Sequence, residues 1–153
     1  MEPAQGKALA ISISERKGIP KHNIEEARLI EEWGIEGDAH AGPGRRQVSL
    51  LADESIEKMR AKGLPVRPGA FAENITTAGI DLPCLPVGTR LFIGPTELEV
   101  TQIGKECHQK CAIYARAGDC VMPREGIFAR VIRGGRIRVG DGVRIANVAD
   151  ADR

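Results

Sequence analysis

Glycine and proline interrupt this sequence at short intervals throughout its length. There are 18 glycines and 9 prolines, and they are spread along the chain rather than pooled in one linker. Because both residues favour turns and disfavour helix interiors, the segments between them are too short for long helices. The sequence therefore predicts a mainly β (α+β) fold, a barrel or sandwich of about seven to nine short strands with one or two short helices.

The strands are predicted from alternating polar and apolar residues, as in segments 7–14, 46–51, 71–76, 96–103 and 126–132. Segment 23–33 has a mixed pattern. Asn23 could cap a helix with an apolar stripe every three or four residues, whereas residues 27–30 could equally form a short strand; the pattern favours the helix. Asp53 is predicted to cap a second short helix that is closed by Gly63.

Length and charge limit the classes of function. The 153 residues suit one domain, with a core over about residues 7–145 and a frayed tail at 147–153. The net charge of +1 and an aromatic content of 3% argue against a nucleic-acid partner. No apolar segment approaches the roughly 20 residues that span a bilayer, and no signal-type segment opens the chain. We expect a cytoplasmic protein with no membrane partner.

Three of the four cysteines cluster in one segment, residues 105–130, together with one of three histidines. If this segment begins as a helix, Cys107, His108 and Cys111 share one face, because residues three and four apart are neighbours on a helix. Cys120 follows shortly after. Positive residues surround the cluster and favour a reactive thiolate: Lys105, Lys110, Arg116 and Arg124.

Three kinds of chemistry fit this cysteine segment. Zinc accepts these ligand types, although structural zinc sites usually show paired short Cys/His spacings. The cysteines could instead be small buried hydrophobic residues, and this interpretation applies most to Cys84, which stands alone. The third possibility is a sulfur-carrying thiol, whose persulfide is released when a neighbouring thiol forms a disulfide.

A glycine-dense loop at residues 34–44 carries Asp38 and His40. Glycines there let backbone amides approach a ligand closely, and the polar pair could face that ligand. The alternative is a surface turn in which both side chains are solvated. The loop has neither the Gly-Lys-Ser/Thr ending of a Walker loop nor a dinucleotide-binding fingerprint. Glu73 and Asn74 form another polar pair, which could face a ligand or lie solvated at a strand end.

Several segments together resemble the MOSC family, the C-terminal domain of molybdenum cofactor sulfurases. They occur in family order, and the chain is similar to a standalone, bacterial-type member. The segments are GIEGDAHAG (34–42), RQVSLL (46–51), FAENITTAGIDL (71–82), PVGTRLFIG (86–94), KCAI around Cys111 and GIFARVIRGGRIRVGD (126–141).

The resemblance implies a MOSC-like β-barrel of mostly antiparallel strands that binds the molybdopterin/molybdenum cofactor. Its reactive cysteine falls on Cys111, which would carry a persulfide or ligate the metal. Cys107, His108 and Cys120 exceed the minimal family pattern; our hypothesis makes Cys107 or Cys120 the resolving thiol and His108 a proton relay. The other family positions would line the cofactor pocket; they fall on Asp38, His40, Arg46, Glu73, Asn74 and Arg130.

The same resemblance implies the partners. Full sulfurases contain a pyridoxal-phosphate desulfurase domain that this chain lacks, so a separate cysteine desulfurase would donate sulfur and a molybdoenzyme would receive it. Two other functions remain open: a molybdenum-dependent reductase of N-hydroxylated compounds, with Cys111 ligating the metal, and a cofactor carrier or binding module without chemistry of its own.

Overall fold

The computed structural model describes residues 5–17, 19–104 and 125–146 of the chain. Within these ranges it has eleven strands, one α-helix and a 3-10 turn at Leu82–Cys84. The strands are β1 Gly6–Ile13, β2 His22–Ile24, β3 Glu26–Ile30, β4 Gly34–Ile35, β5 Val48–Ala52, β6 Ile75–Ala78, β7 Arg90–Ile93, β8 Thr96–Ile103, β9 Ile127–Arg133, β10 Gly135–Arg138 and β11 Gly142–Ile145. The helix, α1, is Asp53–Arg60.

Seven of these strands close into a barrel. The order around it is β1, β6, β5, β9, β8, β7 and β11, and β11 returns to pair with β1. Each neighbouring pair is antiparallel except β5 and β6, which are parallel. Strand β2 extends the sheet beside β1, and β10, β3 and β4 form a separate small sheet. The expectation of a mainly β, barrel-like fold is therefore confirmed.

Alternating side chains divide the apolar residues into two clusters. Leu50 points into the barrel with fully buried residues of the other strands, such as Leu98 and Val131. Its neighbour Leu51 points to the opposite face, where it packs with Phe128 and the helix residue Ile56. The helix and the chain after it therefore cover the outer face of the barrel wall at β5 and β9.

The helix prediction at residues 53–63 is confirmed in position but not in its cap. Ala52 occupies the N-cap position without a side-chain hydrogen bond, and Asp53 is the first helical residue. The Asp53 carboxylate instead lies 3.0 Å from Nη2 of Arg60, seven residues later. No helix in the described part of the chain is long and apolar enough to cross a membrane.

The helix predicted over residues 23–33 is wrong, because this segment forms β2 and β3. Strand β3 pairs with β10 along Leu29↔Gly135 to Glu26↔Arg138, which provides backbone partners that a single helix would not need. Its burial alternates with a period of two: Ala27 and Leu29 are buried, whereas Glu26 and Arg28 are exposed. Trp33, the last residue of the predicted helix, is 44% exposed. These extra short strands explain why the described residues form eleven strands, whereas the sequence predicted about seven to nine.

Close backbone contact fixes the position of the chain before β2. The N–H of Lys21 donates to the carbonyl of Gly69 at 2.9 Å. Gly69 has a φ of +96°, and a Cβ there would lie 2.5 Å from the Lys21 carbonyl oxygen. The predicted strand at 71–76 accordingly begins only at Ile75, because the residues before it form the loop that holds Lys21.

Gly69→Ala and Gly37→Ala form a matched pair that tests this contact. Gly37 has a similar φ of +86°, but a Cβ there would meet no described atom within 4 Å. We expect Gly37→Ala to cost about 1–2 kcal/mol of unfolding free energy from backbone strain alone. Gly69→Ala should cost a further 1–3 kcal/mol or so through overpacking. Urea unfolding measures the stability of both variants. Equal losses of unfolding free energy would contradict the close contact between Gly69 and the Lys21 carbonyl.

Candidate functional site

The glycine-dense loop and the chain before β2 meet in a buried ion pair. Nζ of Lys21 lies 2.7 Å from Oδ1 of Asp38, and neither side chain is exposed. The same Nζ lies 3.0 Å from Oγ of Ser14 and 2.8 Å from Nδ1 of His40. An ammonium group has three N–H donors, so this set of acceptors uses all of them. Sequence analysis missed Lys21, which lies in no recognisable motif.

Asp38 is held as a carboxylate. Its Oδ1 also accepts the backbone N–H of Ser14 at 3.1 Å, and its Oδ2 accepts the backbone N–H of His40 at 3.2 Å. Burial by itself raises the pKa of Asp38, but hydrogen bonds from Lys21, Asn74 and Ser14 and the charge of Lys21 outweigh burial. The net effect lowers the pKa. Asp38 and His40, predicted as a pair, are therefore in contact, and Asp38 is not a solvated turn residue.

Glu73 is a fully buried carboxylate that organises its own loop. It accepts the backbone N–H groups of Gly69 at 2.9 Å and Phe71 at 3.2 Å, and the hydroxyl of Thr76 at 2.8 Å. Burial raises the pKa of Glu73 more than these hydrogen bonds lower it. Its contacts fix the Gly69 loop that supports Lys21, so it acts on the ion pair through the backbone.

Asn74, also fully buried, joins two strands of the barrel wall. Its Oδ1 accepts the Ser49 backbone N–H at 3.0 Å in β5, and its Nδ2 donates to the Ser12 carbonyl at 3.1 Å in β1. Ser49 lies directly opposite Phe128 of β9, which lies opposite Gln102 of β8. These residues therefore form one row across neighbouring strands, with the Asp38 contact at one end.

Arg46 lies at the other end of that row. Its guanidinium is 5.2 Å from the centre of the Phe128 ring, and its Nε lies 3.3 Å from Oε1 of Gln102. Two residues beyond Gln102, the N–H of Gly104 donates to the carbonyl of Gly126 at 2.6 Å. The described residues on either side of segment 105–124 are thus neighbours, and Arg46 is connected to them through Gln102, whose Nε2 donates to the Gly104 carbonyl.

Arg130 belongs to a different set of contacts. Its Nε lies 2.8 Å from Oε1 of Glu99, and its Nη1 lies 2.6 Å from Oε1 of Glu32. Two carboxylates therefore compensate its positive charge. The structure brings Asp38 and His40 into contact with Lys21 and places Asn74 beside Asp38. It connects Arg46 to Asn74 through the row and gives Arg130 acidic protein partners.

The predicted cysteine site, comprising Cys107, His108, Cys111 and Cys120, lies outside the described residues, as does the tail at 147–153. Among the residues described, no group of three or more His, Cys, Asp or Glu side chains could hold a metal ion.

The expectation that Cys84 is a buried hydrophobic residue is wrong, because Cys84 is exposed. Its position in the 3-10 turn places its Sγ 3.0 Å from Oδ2 of Asp81, where the thiol can donate to the carboxylate. This hydrogen bond and the negative charge of Asp81 raise the pKa of the Cys84 thiol. Because the thiolate is the reactive form, Cys84 is poorly suited to sulfur transfer.

A family model described as the MOSC domain matches residues 36–144, which include the Asp38–His40 loop and most of the barrel. The chain belongs to the MOSC domain family. The resemblance noted in the sequence is thereby confirmed. A comparison with curated proteins finds no match. MOSC domains are associated with the molybdenum cofactor, so the function of this MOSC protein is related to that cofactor.

Solved structures share the fold. The MOSC chain is similar to the YuaD protein from Bacillus subtilis, with a TM-score of 0.77, 20% identity and coverage of 92% of this chain and 94% of YuaD. YiiM from Geobacillus stearothermophilus gives a TM-score of 0.69 at 17% identity, covering 93% of this chain and 75% of YiiM. YiiM from Escherichia coli gives a TM-score of 0.66 at 18% identity, covering 96% of this chain and 71% of YiiM.

Glu73→Gln tests the structural role of this carboxylate. We expect a loss of about 1–3 kcal/mol in unfolding free energy, because the amide nitrogen replaces one acceptor and leaves a buried donor unsatisfied. The raised pKa means that protonated Glu73 favours the folded state. Its contribution is full below the unfolded pKa of about 4.3 and is lost as the pH rises through the folded pKa. The difference in unfolding free energy between the wild type and Glu73→Gln should therefore decrease as the pH rises.

Urea unfolding across a pH series measures both effects. Glu57→Gln is the matched control, because the Glu57 side chain is 65% exposed and pairs with Arg60 at the surface. If the two variants lost equal stability, or if the Glu73→Gln loss grew with pH, this role for Glu73 would be wrong.

Proposed function

We infer that this MOSC protein binds the molybdenum cofactor and transfers sulfur during molybdoenzyme maturation, with a persulfide carried on Cys111. The observation that carries this inference is the buried Lys21–Asp38 pair with His40 in contact, within the segment matched by the MOSC model. A buried charge pair costs desolvation energy, so its place on a loop rather than in the barrel core indicates a site.

The donor set near this loop suits an anionic group. Arg46 supplies N–H donors, and it contacts Gln102 beside the residues that flank the cysteine segment. Guanidinium groups bind phosphate and oxyanion oxygens well. Arg46 is therefore the described residue proposed to contact the anionic part of the cofactor, together with Arg130 if it exchanges one carboxylate partner. Asp38 and His40 are proposed to line the same pocket. Glu73 and Asn74 would support this site through the contacts of the Gly69 loop and β5.

The sulfur chemistry is proposed for the cysteine segment. A separate cysteine desulfurase would donate a sulfur atom to Cys111, giving the persulfide Cys–S–SH. The thiolate of Cys107 or Cys120 would then attack the inner sulfur, forming a disulfide while HS⁻ leaves with the electron pair of the S–S bond. His108 would supply or accept the proton, and a thiol reductant would restore the dithiol. A bound molybdenum centre would accept this sulfide in exchange for an oxo ligand, which would take up protons and leave as water.

Mass spectrometry after incubation with a cysteine desulfurase and free cysteine tests the proposal. We expect one added sulfur atom on Cys111, none in Cys111→Ser, and unchanged loading in the control Cys84→Ser, whose exposed thiol has a raised pKa. Absence of sulfur on Cys111, or full sulfuration of a molybdoenzyme client by Cys111→Ser, would end the proposal. Elemental analysis is the companion measurement. Stoichiometric molybdenum with turnover of N-hydroxylated bases, but no persulfide, would identify the reductase instead.

A further inference from the structure

Glu32 occupies a backbone position that disfavours a glutamate. It lies in the tight turn after β3, in which the N–H of Trp33 donates to the Ile30 carbonyl at 3.0 Å. Its φ is +54°, a left-handed conformation that glycine or asparagine usually adopts in such turns. A glutamate there costs backbone strain, and strained residues cluster at functional sites. The position of Glu32 therefore indicates a role for its carboxylate rather than for the turn.

The Glu32 carboxylate is directed at Arg130 of β9. Its Oε1 lies 2.6 Å from Nη1 of Arg130, and its Oε2 accepts a longer hydrogen bond, of 3.5 Å, from Nε2 of Gln47. The turn is tied to the same strand, because the N–H of Glu32 donates to the carbonyl of Val131 at 2.9 Å. Glu32 is thus held beside the outer edge of the Arg130 guanidinium.

The two carboxylates on Arg130 are not equivalent. Glu99 lies directly opposite Arg130 in the barrel wall, accepts from its Nε at 2.8 Å, and also lies 3.4 Å from Nε of Arg90. The Glu99 side chain is 23% exposed, whereas that of Glu32 is 51% exposed. The hydrogen bond to Glu99 raises the pKa of Arg130 most, and Glu32 adds a smaller increase. Glu99 is therefore the permanent partner, and Glu32 is the partner that an external anion can replace.

Arg130 and Arg46 lie on one face of the barrel wall. Phe128 and Arg130 are two residues apart in β9, so both side chains point to the outer face, and Arg46 lies over the Phe128 ring. A phosphate group carries about −1.5 to −2 charge at neutral pH and three acceptor oxygens. The outer edge of a guanidinium binds two such oxygens side by side. A monocarboxylate offers Arg130 no more than Glu32 already does.

We propose that Glu32 is an internal competitor for the anion that binds Arg130. It occupies the outer edge of the guanidinium in the free protein, and it leaves when a phosphate group, with its greater charge and additional acceptor oxygens, takes this edge. Glu32 thereby sets the specificity of the site, because a weakly bound monocarboxylate does not displace an intramolecular partner. That the phosphate group belongs to the molybdenum cofactor rests on the proposed function. Competition between Glu32 and an added anion does not.

Nitrogen-15 NMR of arginine-labelled protein, titrated with inorganic phosphate at constant ionic strength, tests the proposal. The Nε–H signal of Arg130 is identified by its absence in Arg130→Lys. We expect phosphate to shift this signal, and to bind about 2–5-fold more tightly in Glu32→Gln, the gain expected from removing one exposed ion pair. Glu32→Gly removes the same carboxylate and relieves the turn. Its affinity should rise equally, and it should unfold at a higher urea concentration than Glu32→Gln.

Glu26→Gln is the matched control. Glu26 is 45% exposed and pairs with two guanidinium groups of β10. The phosphate affinity measured at Arg130 should not change in this variant. The proposal is overturned if phosphate moves the Arg130 signal in neither the wild type nor Glu32→Gln, if these two bind phosphate equally, or if Glu26→Gln gains as much as Glu32→Gln. Sulfur loading of Cys111 is measured without phosphate, so either proposal can fail alone.

Discussion

The buried contact between Lys21 and Asp38 is the constraint on which the rest of the site depends. Removing two opposite charges from water costs several kcal/mol per ion, and good geometry with further hydrogen bonds must offset this cost. Ser14, His40 and Asn74 provide those hydrogen bonds. Lys21 and Asp38 both lie outside the strands, just before β2 and in the loop after β4. The barrel must therefore hold both segments in place.

The barrel does so through buried polar side chains rather than through its apolar core. Glu73 fixes the Gly69 loop against the Lys21 backbone, and Asn74 ties the start of β6 to β1 and β5. The row from Asn74 to Gln102 then connects the ion pair with Arg46 and with the residues that flank segment 105–124. The proposed cofactor site thus lies on loops whose positions are set by a rigid wall of strands.

Much of this architecture could be predicted from sequence, because alternation and frequent turns indicate a strand-rich barrel whatever the exact pairing. Asp38 and His40 could be found because glycines and polar residues coincide in one loop. Lys21 could not, since a lysine is ordinarily exposed and its burial depends on a partner distant in sequence. Segment 23–33 was misassigned because its apolar residues fit both periods. Glu73 was predicted either to face a ligand or to lie solvated at a strand end, but it is buried, and its role depends on backbone donors that no sequence pattern reveals.

A double-mutant cycle of Lys21→Met and Asp38→Asn, followed by urea unfolding, measures the central interaction directly. Each single variant leaves one buried group without its partner and should lose about 3–5 kcal/mol. The double variant should lose clearly less than the sum of the single losses, giving a coupling energy of about 2 kcal/mol or more. Losses that add to within about 0.5 kcal/mol would show that the two charges do not depend on each other, and would contradict this account.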